Sequence, residues 1–128
     1  MNAKQLEERL NTELGIINLH DFARLGGAEV VVWQFPSDYC RGGHGSAFYG
    51  VGRMDKKPIE PGLPYYANGM KRYTYGRGSQ GTAEELALAY AASYTGTLAA
   101  DWVKVSSRPL LRGYVLQSVY DTVMGKLA

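Results

Sequence analysis

From Ala3 to Leu14 the apolar residues Leu6, Leu10 and Leu14 recur every fourth position among Lys4, Glu7, Glu8, Arg9 and Glu13. That spacing predicts an amphipathic helix, with Gly15 as a left-handed stop. Asn18 is placed to cap a second, short helix in which Leu19, Phe22 and Leu25 share one side and Asp21 sits in the first turn, before Gly26-Gly27 ends it. The period then changes. Residues 28–35 include Val30, Val31, Val32, Trp33 and Phe35, apolar on both pleat faces, so this strand belongs in the middle of a sheet; Pro36 ends it. Residues 46–53 suit a second strand weakened by Gly50 and Gly52, and residues 55–64, with Pro58, Pro61 and Pro64, read as a loop. Asn68-Gly69 between aromatic runs predicts a two-residue hairpin in which Tyr66 faces Lys71 and Tyr65 faces Arg72.

Thr82-Ala83-Glu84-Glu85 has the form of a capping box and opens a helix on which Leu86, Tyr90 and Tyr94 share a face, with Gly96 as its stop. The spacing of Leu98, Trp102 and Val105 predicts a short helix over residues 97–105, although Trp102-Val103-Lys104-Val105 also alternates like a strand. Ser106 or Ser107 would cap a last helix, with Pro109 in its first turn and a stripe of Leu111, Val115, Val119 and Thr122 or Val123 up to Gly125. Helices at both ends and hairpin-linked strands between them give the expected class. It is a two-layer α+β domain over residues 1–128, with N-terminal helices, an antiparallel sheet of three or four strands carrying the Asn-Gly hairpin, and C-terminal helices packed on the sheet.

Composition narrows this picture. A chain of 128 residues with 45% apolar content is long enough to bury a core without disulfides or metals. Cys40 is the sole cysteine, which points to a reducing compartment and a cytoplasmic address. The N-terminus is charged where a signal peptide is apolar, and no apolar run reaches membrane length. The net charge of +2 is too small for strong non-specific binding to duplex nucleic acid. The positive charge is concentrated, however. Between Asp38 and Gly81, Arg41, Arg53, Lys56, Lys57, Lys71, Arg72 and Arg77 outnumber Asp38, Asp55 and Glu60, and they are threaded with ten glycines and seven aromatic residues.

Several motifs in and around this segment bear on chemistry. Tyr49-Gly50-Val51-Gly52 and Tyr75-Gly76-Arg77-Gly78 repeat the pattern Tyr-Gly-x-Gly at strand ends, a combination of stacking faces and close backbone approach, or equally plain turn punctuation. Gly76, Gly78 and Gly81 before Thr82 have the spacing of a nucleotide-binding loop but neither the Gly-Lys-Ser/Thr of a P-loop nor a βαβ context. Cys40 and His44, with Asp38 or Asp21, could form a nucleophile pair, but catalytic partners usually converge from distant segments, and the expectation is no enzyme. His20, His44 and Cys40 match no zinc spacing, so neither metal nor cofactor is expected. His44-Gly45-Ser46 resembles the His-Gly-Ser/Thr element of some ADP-ribosyltransferases, whose histidine holds the nicotinamide ribose. That resemblance covers three residues and implies a strand-borne tyrosine, Tyr65 or Tyr66, and a later glutamate, Glu84 or Glu85, while the surrounding motifs do not match.

Tyrosines with arginines are also what protein interfaces are made of. The expectation is therefore a small interaction module of the accessory or inhibitory kind known from phages and mobile elements. It would bind a host protein or nucleoprotein complex through Tyr65, Tyr66, Lys71, Arg72, Tyr73 and Arg77. The alternative is single-stranded DNA or RNA on the same patch, with phosphates at Arg53, Lys56, Lys57, Lys71, Arg72 and Arg77. A nucleotide-using enzyme centred on Arg77, Gly78, Gly81 and Thr82 is the third reading.

Overall fold

Val30, Val31 and Val32 are all buried because helices stand on both sides of the strand they form. The computed structural model describes residues 2–36, 46–76, 78–106 and 111–127, with the side chains of Tyr66 and Ser106 left aside. Helix α1, Ala3–Leu14, opens on a reciprocal capping box between Asn2 and Gln5 and stops at Gly15 with φ 70°. Helix α2, Leu19–Leu25, is capped by Asn18, whose Oδ1 accepts from the Asp21 amide at 2.8 Å. Strands β1 (Val30–Phe35), β2 (Phe48–Arg53) and β3 (Lys71–Thr74) precede the long helix α3, Gln80–Thr95; then come β4 (Trp102–Ser106), β5 (Arg112–Leu116) and α4 (Gln117–Met124). The strands form one antiparallel sheet in the order β3-β2-β1-β5-β4, with β1 central as its two-sided apolar pattern requires.

The α+β class, the antiparallel sheet and the terminal helices are as expected from the sequence. Among the described residues the sheet has five strands where three or four were expected, and helices cover both of its faces. On one face, Ala83, Ala87 and Ala91 of α3 rest on Val30, Val32, Tyr49, Val51 and Tyr114. Small side chains four apart let this helix come close to the sheet. On the other, Leu10, Leu19, Phe22, Val119 and Val123 of α1, α2 and α4 pack on Val31, Val105 and Val115. Among the described residues no helix is long and apolar enough to cross a membrane.

Four local expectations are corrected. Residues 97–105 are not a helix: a 3-10 turn at Ala99–Asp101 leads directly into β4, because the alternation of Trp102 and Lys104 with Val103 and Val105 places each set on its own face. The helix expected to begin at Ser106 or Ser107 begins instead at Gln117. Leu111, Val115 and Val119 are four apart, an even number, so the spacing fits one face of a strand as well as a helix, and Leu111 to Leu116 uses it as β5 and its approach. Ser107 and Pro109 lie outside the described residues. The Thr82 capping box does not form, since α3 starts two residues earlier at Gln80 with Ser79 left-handed before it, and Thr82 and Glu85 stay exposed. Finally, Tyr65–Ala67 is a 3-10 turn and not a strand, so Tyr65 and Tyr66 have no hairpin partners in β3. Lys71 and Arg72 pair instead with Val51 and Gly50 of the longer strand β2.

Candidate functional site

Alternation along β3 divides the residues expected to form one surface. Lys71 and Tyr73 point toward α3, and Arg72 points to the opposite face. On the α3 side, Lys71 Nζ donates to Glu60 Oε1 at 3.0 Å and the Tyr90 hydroxyl donates to Glu60 Oε2 at 2.7 Å. These two hydrogen bonds, Tyr90's first, hold the Glu60 carboxyl below its ordinary pKa. Tyr73 packs on Tyr90 with ring centroids 6.3 Å apart, half-buried. At the far end of α3, Arg53 forms a two-pronged ion pair with Asp55 (3.0 and 2.6 Å) and donates to the Tyr94 hydroxyl at 3.4 Å. Two of the cations expected to meet phosphate are thus neutralised within the chain.

Nearer the start of α3, Glu84 turns down onto the sheet. Its Oε2 accepts from the hydroxyls of Tyr114 at 2.8 Å and Tyr49 at 3.1 Å, Gln80 Nε2 donates to the Tyr49 hydroxyl at 3.3 Å, and Lys104 Nζ stands 3.9 Å from the same carboxylate oxygen. Burial, reinforced by the carboxylate, pushes the Tyr49 hydroxyl up to about 12 and raises Tyr114 as well. The group reads as a satisfied polar network that fixes the register of α3 over β2 and β5. Glu84 was nominated from the sequence for a different role and Tyr49 only as part of a Tyr-Gly-x-Gly repeat, whereas Tyr114 and Lys104 fell in segments expected to be helical and became strand residues only in the fold.

The face opposite α3 is different. Here α1, α2 and α4 gather over β4, β5 and the adjoining part of β1, and the β2–β3 side carries a row of flat groups. Phe35 and Phe48, paired in register, stack with centroids 4.7 Å apart, and the Arg72 guanidinium lies 4.6 Å above the Phe48 ring. Such contacts contribute about 0.5–1.5 kcal/mol for the ring pair and about 0.5–1 kcal/mol for the cation. Glycines make room for this row. Gly50 and Gly113 flank Trp33 in register on the two neighbouring strands, and a Cβ on Gly52 would come within 3.1 Å of the indole and 2.7 Å of Met70. Trp33, Phe35 and Phe48 are each half-buried and Arg72 is exposed.

Strand β3 is also an edge. Because the Tyr75 amide bonds to the Ala47 carbonyl on β2 at 2.8 Å, and backbone groups alternate sides along an antiparallel strand, the N–H and C=O of Arg72 and Thr74 point away from the sheet. Of the other expected residues, Tyr65 is 63% exposed in its turn, Lys56 and Lys57 are exposed on the loop after β2, and Gly78, Gly81 and Thr82 are exposed around the start of α3. Cys40, His44 and Gly45, on which the nucleophile and ADP-ribosyltransferase readings rest, and Arg77, the cation of the nucleotide-loop reading, lie outside the described residues. Comparison with known proteins adds no lead: no family model, no curated protein and no solved structure matches the chain.

Proposed function

We propose that this chain is a small, non-enzymatic cytoplasmic interaction module that binds a protein partner on the β2–β3 side of the sheet face opposite α3, acting as an accessory or inhibitory factor by occupying its partner's surface. The observation that carries this reading is the Phe35–Phe48–Arg72 row: half-buried stacked aromatic rings and an exposed guanidinium, held together on the sheet, are the groups that dominate protein interfaces. The charge arrangement favours protein over nucleic acid. A phosphate backbone calls for a track of uncommitted cations, and here Arg53 and Lys71 are held by Asp55 and Glu60.

The test is affinity capture from lysate with the tagged chain, with and without nuclease, beside a Phe48→Ser/Arg72→Glu variant and an Arg72→Glu variant checked for unchanged thermal unfolding. A nuclease-resistant protein retained by the natural sequence and lost with either folded variant is the expected result. Full capture by both variants, or recovery of nucleic acid alone, would overturn the assignment.

A further inference from the structure

The apolar row continues into a groove of about 360 Å³, at the small end of the range for ligand pockets. Its floor is Trp33, Phe35 and Met70, and one wall is the start of α2 at Asn18 to His20. The other wall is built by two turns clamped together. Lys56 and Asn68 both have left-handed backbones, φ 63° and 60°, in residue types without a glycine's freedom. The Lys56 amide donates to the Arg53 carbonyl at 3.0 Å, the Lys57 amide to Asp55 Oδ1 at 3.0 Å, and the Ile59 amide to the Gly69 carbonyl at 2.9 Å. A Cβ on Gly69, φ 59°, would strike the backbone of Pro58, so the two turns lie in direct contact. The Asn68-Gly69 signal thus marks two left-handed residues that build a wall, not the tip of a hairpin. Such a wall is pre-organised, which lowers the ordering cost of binding.

Among the described residues the charged groups that line the groove are Arg53 and Lys56, beside the imidazole of His20, and no carboxylate lines it. With Arg53 held by Asp55, the exposed ammonium of Lys56 is the cation most open to an incoming anion. We propose that this groove seats an aromatic side chain of the protein partner, stacked among Trp33, Phe35 and Met70, with a neighbouring carboxylate of the same segment held by Lys56. This rests on the reading of the adjoining row as a protein-binding surface and specifies the partner's chemistry: an aromatic residue flanked by Asp or Glu.

The test titrates the isotope-labelled full chain with the blocked peptide Gly-Glu-Trp-Glu-Gly, its counterpart Gly-Lys-Trp-Lys-Gly, and an oligothymidine, following the Trp33 indole N–H and the Met70 methyl by NMR. The acidic peptide is expected to move both signals. Lys56→Glu should weaken it about fivefold and make the basic peptide the better ligand. No movement of these signals with the acidic peptide, equal response to both peptides, a stronger response to oligothymidine, or shifts on simple dilution that reveal a second copy in the groove would each overturn the proposal. Partner capture separates this from the reading it rests on. Capture kept in full by Lys56→Glu but lost with Phe48→Ser/Arg72→Glu would remove the groove's role and keep the docking face, whereas capture kept by the double variant would remove the docking face itself.

Discussion

Glu84 is the residue on which the α3 side of the sheet depends most. One carboxylate oxygen accepts from two tyrosine hydroxyls, Tyr49 fully buried and Tyr114 nearly so, and hydrogen bonds to a charged acceptor are worth more than neutral ones. Glu84→Ala should cost about 2–4 kcal/mol in urea unfolding, because it leaves two phenols short of a partner, and Glu84→Gln about half as much. A loss below about 0.5 kcal/mol for the alanine variant would show that the network adds little. The same tyrosines set a pH dependence. An unfolded tyrosine ionises near pH 10, while folded Tyr49 holds its proton to about 12. Above about pH 10 the unfolded chain therefore binds fewer protons than the folded one, and stability should fall as pH rises toward about 12. Tyr49→Phe should make that fall shallower, which thermal melts across this range would detect. On the opposite face, Lys56→Gly should raise stability by about 0.5–1 kcal/mol, since a left-handed backbone suits glycine better than lysine. A decrease would argue against that conformation.

The elements depend on close approach. Ala87 is fully buried where α3 meets the sheet, so Ala87→Leu should destabilise by about 1–3 kcal/mol or displace the helix, while Ala89→Leu on its exposed side should be near neutral. Gly113 allows β5 to lie against β1: a Cβ there would meet the Val32 carbonyl and come within 2.5 Å of Leu19 Cδ2. Gly113→Ala should therefore be more damaging than its size suggests, seen as loss of cooperative unfolding in urea. These elements also show what the sequence could and could not tell. Residues with only one good periodic reading, such as Leu6, Leu10 and Leu14 or the run Val30 to Val32, gave α1 and the central strand. Trp102 to Val105 and Leu111 to Val115 satisfied two periods at once, and burial on the sheet chose the strand. Asn68-Gly69 was expected as the tip of a hairpin and is instead a left-handed pair after a 3-10 turn, because the partner of β3 was decided by the long-range ladder with β2, which no local pattern contains. The site was legible only in part. Arg72 was named, yet its neighbours Trp33 and Phe35 looked like ordinary core. The signal that they share an open face is the alternate glycines Gly50 and Gly52, which only strand register turns into a cleared platform.

At the scale of the whole molecule the sheet has two unlike faces. One is sealed by α3 through alanines and the Glu84 and Glu60 networks, and the other is packed beneath α1, α2 and α4 over β4 and β5 while its β2–β3 side presents Phe35, Phe48 and Arg72. Binding there should respond only modestly to salt, because Arg72 acts through its flat face as much as through its charge; a steep fall in affinity with rising salt would indicate phosphate contacts instead. The most direct test of the docking face is backbone hydrogen exchange on the chain alone and with its captured partner. The amides of Arg72 and Thr74 point out from the free edge of β3 and should exchange readily in the free chain. Their protection in the complex, together with slowed exchange around Met70, is the predicted result. Protection confined to α1 and α4, with Arg72 and Thr74 unchanged, would place the partner elsewhere and contradict the account.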